Sequence, residues 1–271
     1  MREKRLAIVV VAAMLVGYVG VVVLGMLAGA GGLRWSLWPA PHARQWQVAS
    51  LEQLPEPQRQ LVAYGKLLFN ETPVYAPGYV GGRTACGSCH VQGGIAPQGL
   101  PVVGSARRFP MFSLRARRNI TLEDRIQECM TRSENGRALP AQSLEMRALL
   151  AYLGWLAEPH TAEEPFAGHG LALLPPLRPD VPHGAQVYAA QCAGCHGDDG
   201  AGKRRPYPPL WGADAFNDGA GMNKPEKMAA FVYVNMPQNR PGVLSPQDAV
   251  DVAAFIHQQP RPAYNHANDG Y

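Results

Sequence analysis

Two pentapeptides constrain this 271-residue chain more than any other feature: Cys86-Gly87-Ser88-Cys89-His90 and Cys192-Ala193-Gly194-Cys195-His196. Both read C-x-x-C-H. Two thiols one helical turn apart reach the two vinyl groups on one edge of a porphyrin, and the adjacent histidine turns its imidazole onto the iron. A zinc reading needs paired C-x-x-C units or His-x₃₋₅-His, and neither spacing is present. A thioredoxin-like reading needs a βαβ setting and no histidine. The sequence therefore predicts two covalently attached haem c groups, bound by Cys86, Cys89 and His90 and by Cys192, Cys195 and His196. Such haem is attached outside the cytoplasm, so an exported redox protein follows.

The two motifs lie 106 residues apart, which fits two small α-helical modules in tandem. We expect an all-α chain of two cytochrome c-like domains behind an N-terminal transmembrane or signal segment. Met1-Arg2-Glu3-Lys4-Arg5 precedes an apolar run from Leu6 to Leu27, close to the ~20 residues that span a bilayer. Basic residues ahead of the run place that end in the cytoplasm and the rest on the periplasmic side of a bacterial inner membrane. Length favours an uncleaved anchor, against Ala28-Gly29-Ala30 as a cleavage site that would give a soluble periplasmic protein. The expected order is an anchor or signal over 1–33, a tether over 34–57 and a first domain over 58–158. A linker over 159–181, a second domain over 182–260 and a tail without signals over 261–271 complete it. A net charge of +4 points to no strongly charged partner, and no nucleic-acid partner is expected.

Periodicity and caps predict helices over Gln60–Phe69, from the Thr121-Leu122-Glu123-Asp124 capping box to about Ser133, and over Ser143–Leu156. The second module repeats the plan at Gly184–Cys192, Lys224–Asn235 and Ser245–Gln258, the last opened by an N-cap serine and an N1 proline.

The partner opposite each histidine separates the two haems. Met222 and Met236 are the candidates for the second. Met236 follows His196 by forty residues and precedes Pro237, whose ring biases it to extended backbone, so it is favoured. For the first haem, Met130 stands forty residues after His90, but the apolar line of its helix runs Leu122, Ile126, Cys129, Ser133. That line turns Cys129, rather than Met130, toward the core. Cys129 is the one cysteine the motifs do not use. Eight arginines and four acidic residues lie between Arg107 and Arg137. A guanidinium one turn before a cysteine favours thiolate, and guanidiniums bind oxyanions bidentately. A small buried thiol and a solvated arginine face are the bland alternatives.

Phe109-Pro110-Met111-Phe112-Ser113, Leu122 to Cys129, Arg132-Ser133-Glu134-Asn135-Gly136 and Tyr79-Val80-Gly81 resemble the dihaem thiosulfate dehydrogenases. Pro208 to Gly212, Gly219 to Met222 and Asn235-Met236-Pro237 continue the likeness through the second module. The resemblance implies that Cys129 is the sixth ligand of a catalytic haem, that Arg115, Arg125 and Ser133 hold the substrate, and that Met236 serves the second haem. It implies oxidation of thiosulfate to tetrathionate, with electrons passed to a soluble or membrane cytochrome. Two departures stand out. Glu134 brings a negative charge near an anion site, and Asn235 stands where some relatives carry a lysine. The rival readings are a tethered electron carrier with no substrate of its own, a subunit of a larger sulfur-oxidising complex, and tetrathionate reduction at the same site.

Overall fold

Both C-x-x-C-H turns sit beside a pair of crossed helices, and in both modules the crossing depends on a glycine. The structure is a computed structural model, described here over residues 48–159, 170–203 and 206–269. In the first module the opening helix Gln58–Asn70 packs on the closing helix Leu144–Ala157. A Cβ on Gly65 would stand 2.0 Å from the backbone oxygen of Ala148, so only hydrogen permits this approach. In the second module Val181–Gln191 packs on Pro246–His257, and a Cβ on Gly184 would stand 2.1 Å from Asp251 O. The repeated device marks one architecture used twice.

Local chemistry sets the helix starts. Thr121 accepts from Asp124 N at 3.1 Å while the Asp124 carboxylate accepts from Thr121 N at 3.0 Å, a reciprocal cap for helix Leu122–Arg132. Ser143 caps the closing helix through Met146 N, and Ser245 with Asp248 caps Pro246–His257. The middle helix of the second module runs Pro225–Asn235. Observed helices match the expected ones to within a few residues, the usual uncertainty of helix ends.

The chain is mostly helical, yet it is not purely so. Met111–Ser113 and Arg118–Ile120 pair as an antiparallel hairpin, with Phe112 opposite Asn119. Ile120 anchors it in the interior while Met111 and Phe112 lie exposed, so no alternation announces the strands. The expected all-α fold is corrected by this one hairpin, which carries Arg115 in its turn.

Val62, Leu68, Phe69, Met146, Leu149, Tyr152 and Leu156 form the first core, and Met130 joins them with no exposed surface. The expectation that Cys129 rather than Met130 turns to the core is thus corrected. Helix Leu122–Arg132 is covered on most sides, Met130 enters the protein core, and Cys129 is half-buried beside it. The second core gathers Val187, Tyr188, Trp211, Phe231, Val252 and Ile256.

Residues of the second module run along the end of the Cys129 helix. Asn217 donates from Nδ2 to Thr131 O at 2.8 Å and to Asn135 Oδ1 at 3.0 Å. Arg83 pairs with Asp214 at 3.0 Å and also donates to Ala201 O. The tail, silent in sequence, clasps Arg132: the guanidinium lies 3.9 Å from the Tyr264 ring centre and 3.3 Å from Asp269. Among the described residues no helix is long and apolar enough to cross a membrane. The apolar run Leu6–Leu27 lies outside the described residues.

Candidate functional site

The two histidines are prepared alike. His90 donates from Nδ1 to Leu100 O, and His196 donates from Nδ1 to Pro208 O at 2.9 Å. A carbonyl only accepts, so Nδ1 carries the proton and Nε2 keeps its lone pair for iron. Burial lowers the pKa of both imidazoles, which favours this neutral form. Beside them, burial pushes the Cys86 thiol well up, Cys89 to about 12 and Cys192 to about 11. Burial thus favours the protonated form of these three thiols on their short helical turns. Thr84 Oγ1 and one Glu134 oxygen are buried without protein partners next to the first motif, as expected where a large polar-edged group completes the packing. Paired thiols, a neutral imidazole and an apolar surround fit haem at both places.

Cys129 is the feature that makes the two places unequal. It lies within electrostatic reach of Cys86 and Cys89, so its helix face looks toward the first motif. Arg125, one turn earlier, has its pKa raised first by the Cys129 charge, and its Nη1 bonds Glu128 Oε2 at 2.7 Å. Arg115 arrives from the hairpin turn. Its pKa is lowered by burial first, then by Arg132, against the pull of Glu128, with Arg125 and Cys129 also in range. Arg115, Arg125 and Cys129 are thus brought together, and Ser133 is half-buried one turn beyond Cys129 on the same helix end.

Three charges escaped the sequence reading. Glu128, nearly fully buried, holds one side of Arg125. Arg132 was counted among the arginines but given no place. Lys227, from the second module, feels both Arg115 and Arg125; burial, then Lys224, then these arginines lower its pKa. Lys227 is 102 residues from Arg125, and no local pattern joins them. Glu134 departs from expectation in another way. Burial raises its carboxyl pKa to about 8, which favours the protonated, uncharged form at neutral pH.

In the second module Met236 caps the helix with extended backbone, φ −118° and ψ 146°, as the following proline requires. Met236 and Met222 are both half-buried against the second core.

Two haem-attachment turns, each beside crossed helices joined at a glycine, define a two-haem c-type cytochrome. Residues 80–159 match the family described as SoxA/TsdA, cytochrome c domain, and residues 179–256 match cytochrome C oxidase, cbb3-type, subunit III. The chain is 40% identical to the thiosulfate dehydrogenase of Allochromatium vinosum over 213 residues, which is 75% of this chain and 79% of that one. Against the thiosulfate dehydrogenase of Thiomonas intermedia it is 37% identical, covering 75% of this chain and 67% of the other. The solved structure of thiosulfate dehydrogenase (TsdBA) from Marichromatium purpuratum superposes with a TM-score of 0.75 at 33% identity. That match covers 81% of this chain and 50% of the other, so this chain spans half the length of that protein. The chain belongs to the thiosulfate dehydrogenase family, and it carries covalently bound haem c.

Proposed function

We propose that this protein joins two thiosulfates into tetrathionate at Cys129 and passes the two electrons outward to a soluble or membrane cytochrome. The observation that carries this reading is the convergence of Arg115 and Arg125 on a half-buried cysteine beside the first haem motif. A protein that only relays electrons has no use for that arrangement.

The haems at Cys86–His90 and Cys192–His196, when bound, supply one-electron acceptance, two electrons for each tetrathionate formed. The residues do the rest. Arg115 and Arg125 neutralise dianions that would otherwise repel each other, and guanidinium offers them paired N–H donors. Ser133 contributes a hydroxyl at the same helix end. Cys129, which would also help hold the first haem, bonds as thiolate to the outer sulfur of one thiosulfate. Two electrons leave in that step, and a cysteinyl S-thiosulfonate remains. A second thiosulfate attacks the sulfur bonded to Cys129 Sγ, the Sγ–S bond breaks, tetrathionate departs and the Cys129 thiolate is restored. His90 serves the catalytic haem, while His196 and Met236 serve the exit haem. Met236 would hold the second haem with His196, and a methionine there would give that haem the higher potential.

The domain limits 58–158 and 182–260 belong to the same reading. So does an N-terminal anchor over 1–33 that spans the inner membrane and holds the haem modules on its periplasmic side, supported by the length of its apolar run and the basic residues before it. Extraction of native membranes with detergent against alkaline carbonate tests the anchor; release by carbonate alone rejects it.

The activity is tested by adding thiosulfate to the oxidised, haem-loaded protein and following haem reduction, with Cys129→Gly beside the wild type. Rapid reduction by wild type and a loss of at least a hundredfold in the variant is expected. No reduction by wild type leaves an electron carrier, and undiminished reduction by the variant removes Cys129 from the chemistry. Reduction only in the presence of a second subunit identifies a component of a larger complex.

A further inference from the structure

The turn Gln98–Leu100 belongs to both haem environments. Its last carbonyl, Leu100 O, takes the Nδ1 proton of His90, while the Leu100 side chain packs against the second module's core. Its first carbonyl, Gln98 O, accepts Nδ2 of Asn235 at 3.1 Å. Asn235 is buried and immediately precedes Met236; its amide also donates to Phe231 O at 2.9 Å. Between the two carbonyls lies Gly99, where a Cβ would stand 3.1 Å from Asn235 Oδ1, so the amide rests directly on the turn.

The turn needs holding. Gln98 and Leu100 have φ of +55° and +51°, the left-handed region that L side chains disfavour by roughly 1–2 kcal/mol per residue. Besides the His90 bond itself, the first module restrains it through Val91 N to Gly99 O, at 3.1 Å, and Gly99 N to Ala96 O, at 3.0 Å. The remaining restraints come from the second module, through Asn235 and the seat of Leu100. The aim of Leu100 O at His90 therefore depends on the residue next to Met236.

We infer that Asn235 is a positioning residue that couples the two haems, setting the strength of the His90 hydrogen bond in one module from the methionine-bearing helix end of the other. Donation from Nδ1 makes an imidazole a stronger ligand, which favours ferric iron and lowers potential. Loosening the turn weakens that donation and raises the potential of the first haem. The inference requires haem at both motifs and His90 as a ligand, but neither Cys129 chemistry nor thiosulfate turnover. It can fail while the proposed activity stands, and the reverse.

The test is a redox titration of the haem-loaded protein followed by optical and electron paramagnetic resonance spectra, for wild type, Asn235→Asp and Asn235→Leu. Asp keeps the size and removes the donor; Leu removes all polarity. Arg240→Met is the control, since Arg240 lies four residues past Met236 but bonds Gln191 within its own module. The expected result is a rise of the first haem's midpoint in both Asn235 variants. The equilibrium constant for electron transfer toward the second haem falls about tenfold, a loss of about 59 mV for one electron. The first haem's low-spin signal shifts while the methionine–iron band persists, and Arg240→Met leaves the first haem unchanged. An unchanged first haem in Asn235→Asp with both haems retained overturns the inference, as does an equal shift in Arg240→Met. Should both Asn235 variants lose a haem, Leu100→Ala reaches the turn from its other side; no shift there overturns the coupling, and the same rise upholds it.

Discussion

Asn217 is 2% exposed and sits where the second module meets the end of the Cys129 helix. Replacing it with leucine keeps the volume and removes three hydrogen bonds: to Thr131 O at 2.8 Å, to Asn135 Oδ1 at 3.0 Å and from Gly219 N at 3.1 Å. At about 1 kcal/mol each, the lost bonds come to about 3 kcal/mol, and burying the Gly219 N–H unpaired adds about another 1. The extra apolar area of leucine offsets little of this, because the surrounding groups are polar backbone. We expect Asn217→Leu to lower unfolding free energy by about 3–4 kcal/mol, a few hundredfold in the folded-to-unfolded ratio. Guanidinium denaturation of the haem-loaded protein, read by far-ultraviolet circular dichroism and by tryptophan fluorescence, measures it. The two probes also report whether the modules unfold together. A loss below about 1 kcal/mol at unchanged m-value refutes the reasoning, since it means the three bonds are replaced at no cost.

Arg125→Met removes a charged donor from the anion site at the cost of one partly exposed ion pair. The KM for thiosulfate should rise roughly 10- to 150-fold, the value of a charged hydrogen bond of about 1.5–3 kcal/mol, with haem spectra unchanged. Gly65→Ala forces a methyl group onto Ala148 O and should destabilise the first module by about 1–3 kcal/mol; a thermal melt unaltered within a degree rejects the close helix approach. His183 is raised by its hydrogen bond to Asp251 at 2.8 Å, then by the charges of Asp251, Asp248 and Asp180. A raised histidine stabilises the fold below its unfolded pKa and ceases to as pH passes its folded value. Stability of the wild type should therefore fall from about pH 6 to pH 8 more than that of His183→Gln, with equal slopes counting against the pair.

What the sequence disclosed divides by range of interaction. Haem attachment is written in five consecutive residues, and the helix caps at Thr121 and Ser245 in four; such signals survive without any knowledge of the fold. The hairpin that delivers Arg115 left no pattern, because only Ile120 of its two strands is buried and its other faces meet solvent. Lys227, Glu128 and the tail's clasp on Arg132 depend on which distant segments meet, and periodicity carries none of that. The exchange of Met130 for Cys129 has a more general cause. The spacing of apolar residues along a helix points in one direction, the average of everything that covers it. Helix Leu122–Arg132 has more than one neighbour: a protein core that takes Met130 and the side of the first C-x-x-C-H motif, which takes Cys129. Averaged together they form a single broad face, and the residue at its centre is read as the core residue. In a protein whose interior is partly cofactor, the residue at the centre of that face is a better candidate for meeting the cofactor, and the protein core is to be sought about a right angle away.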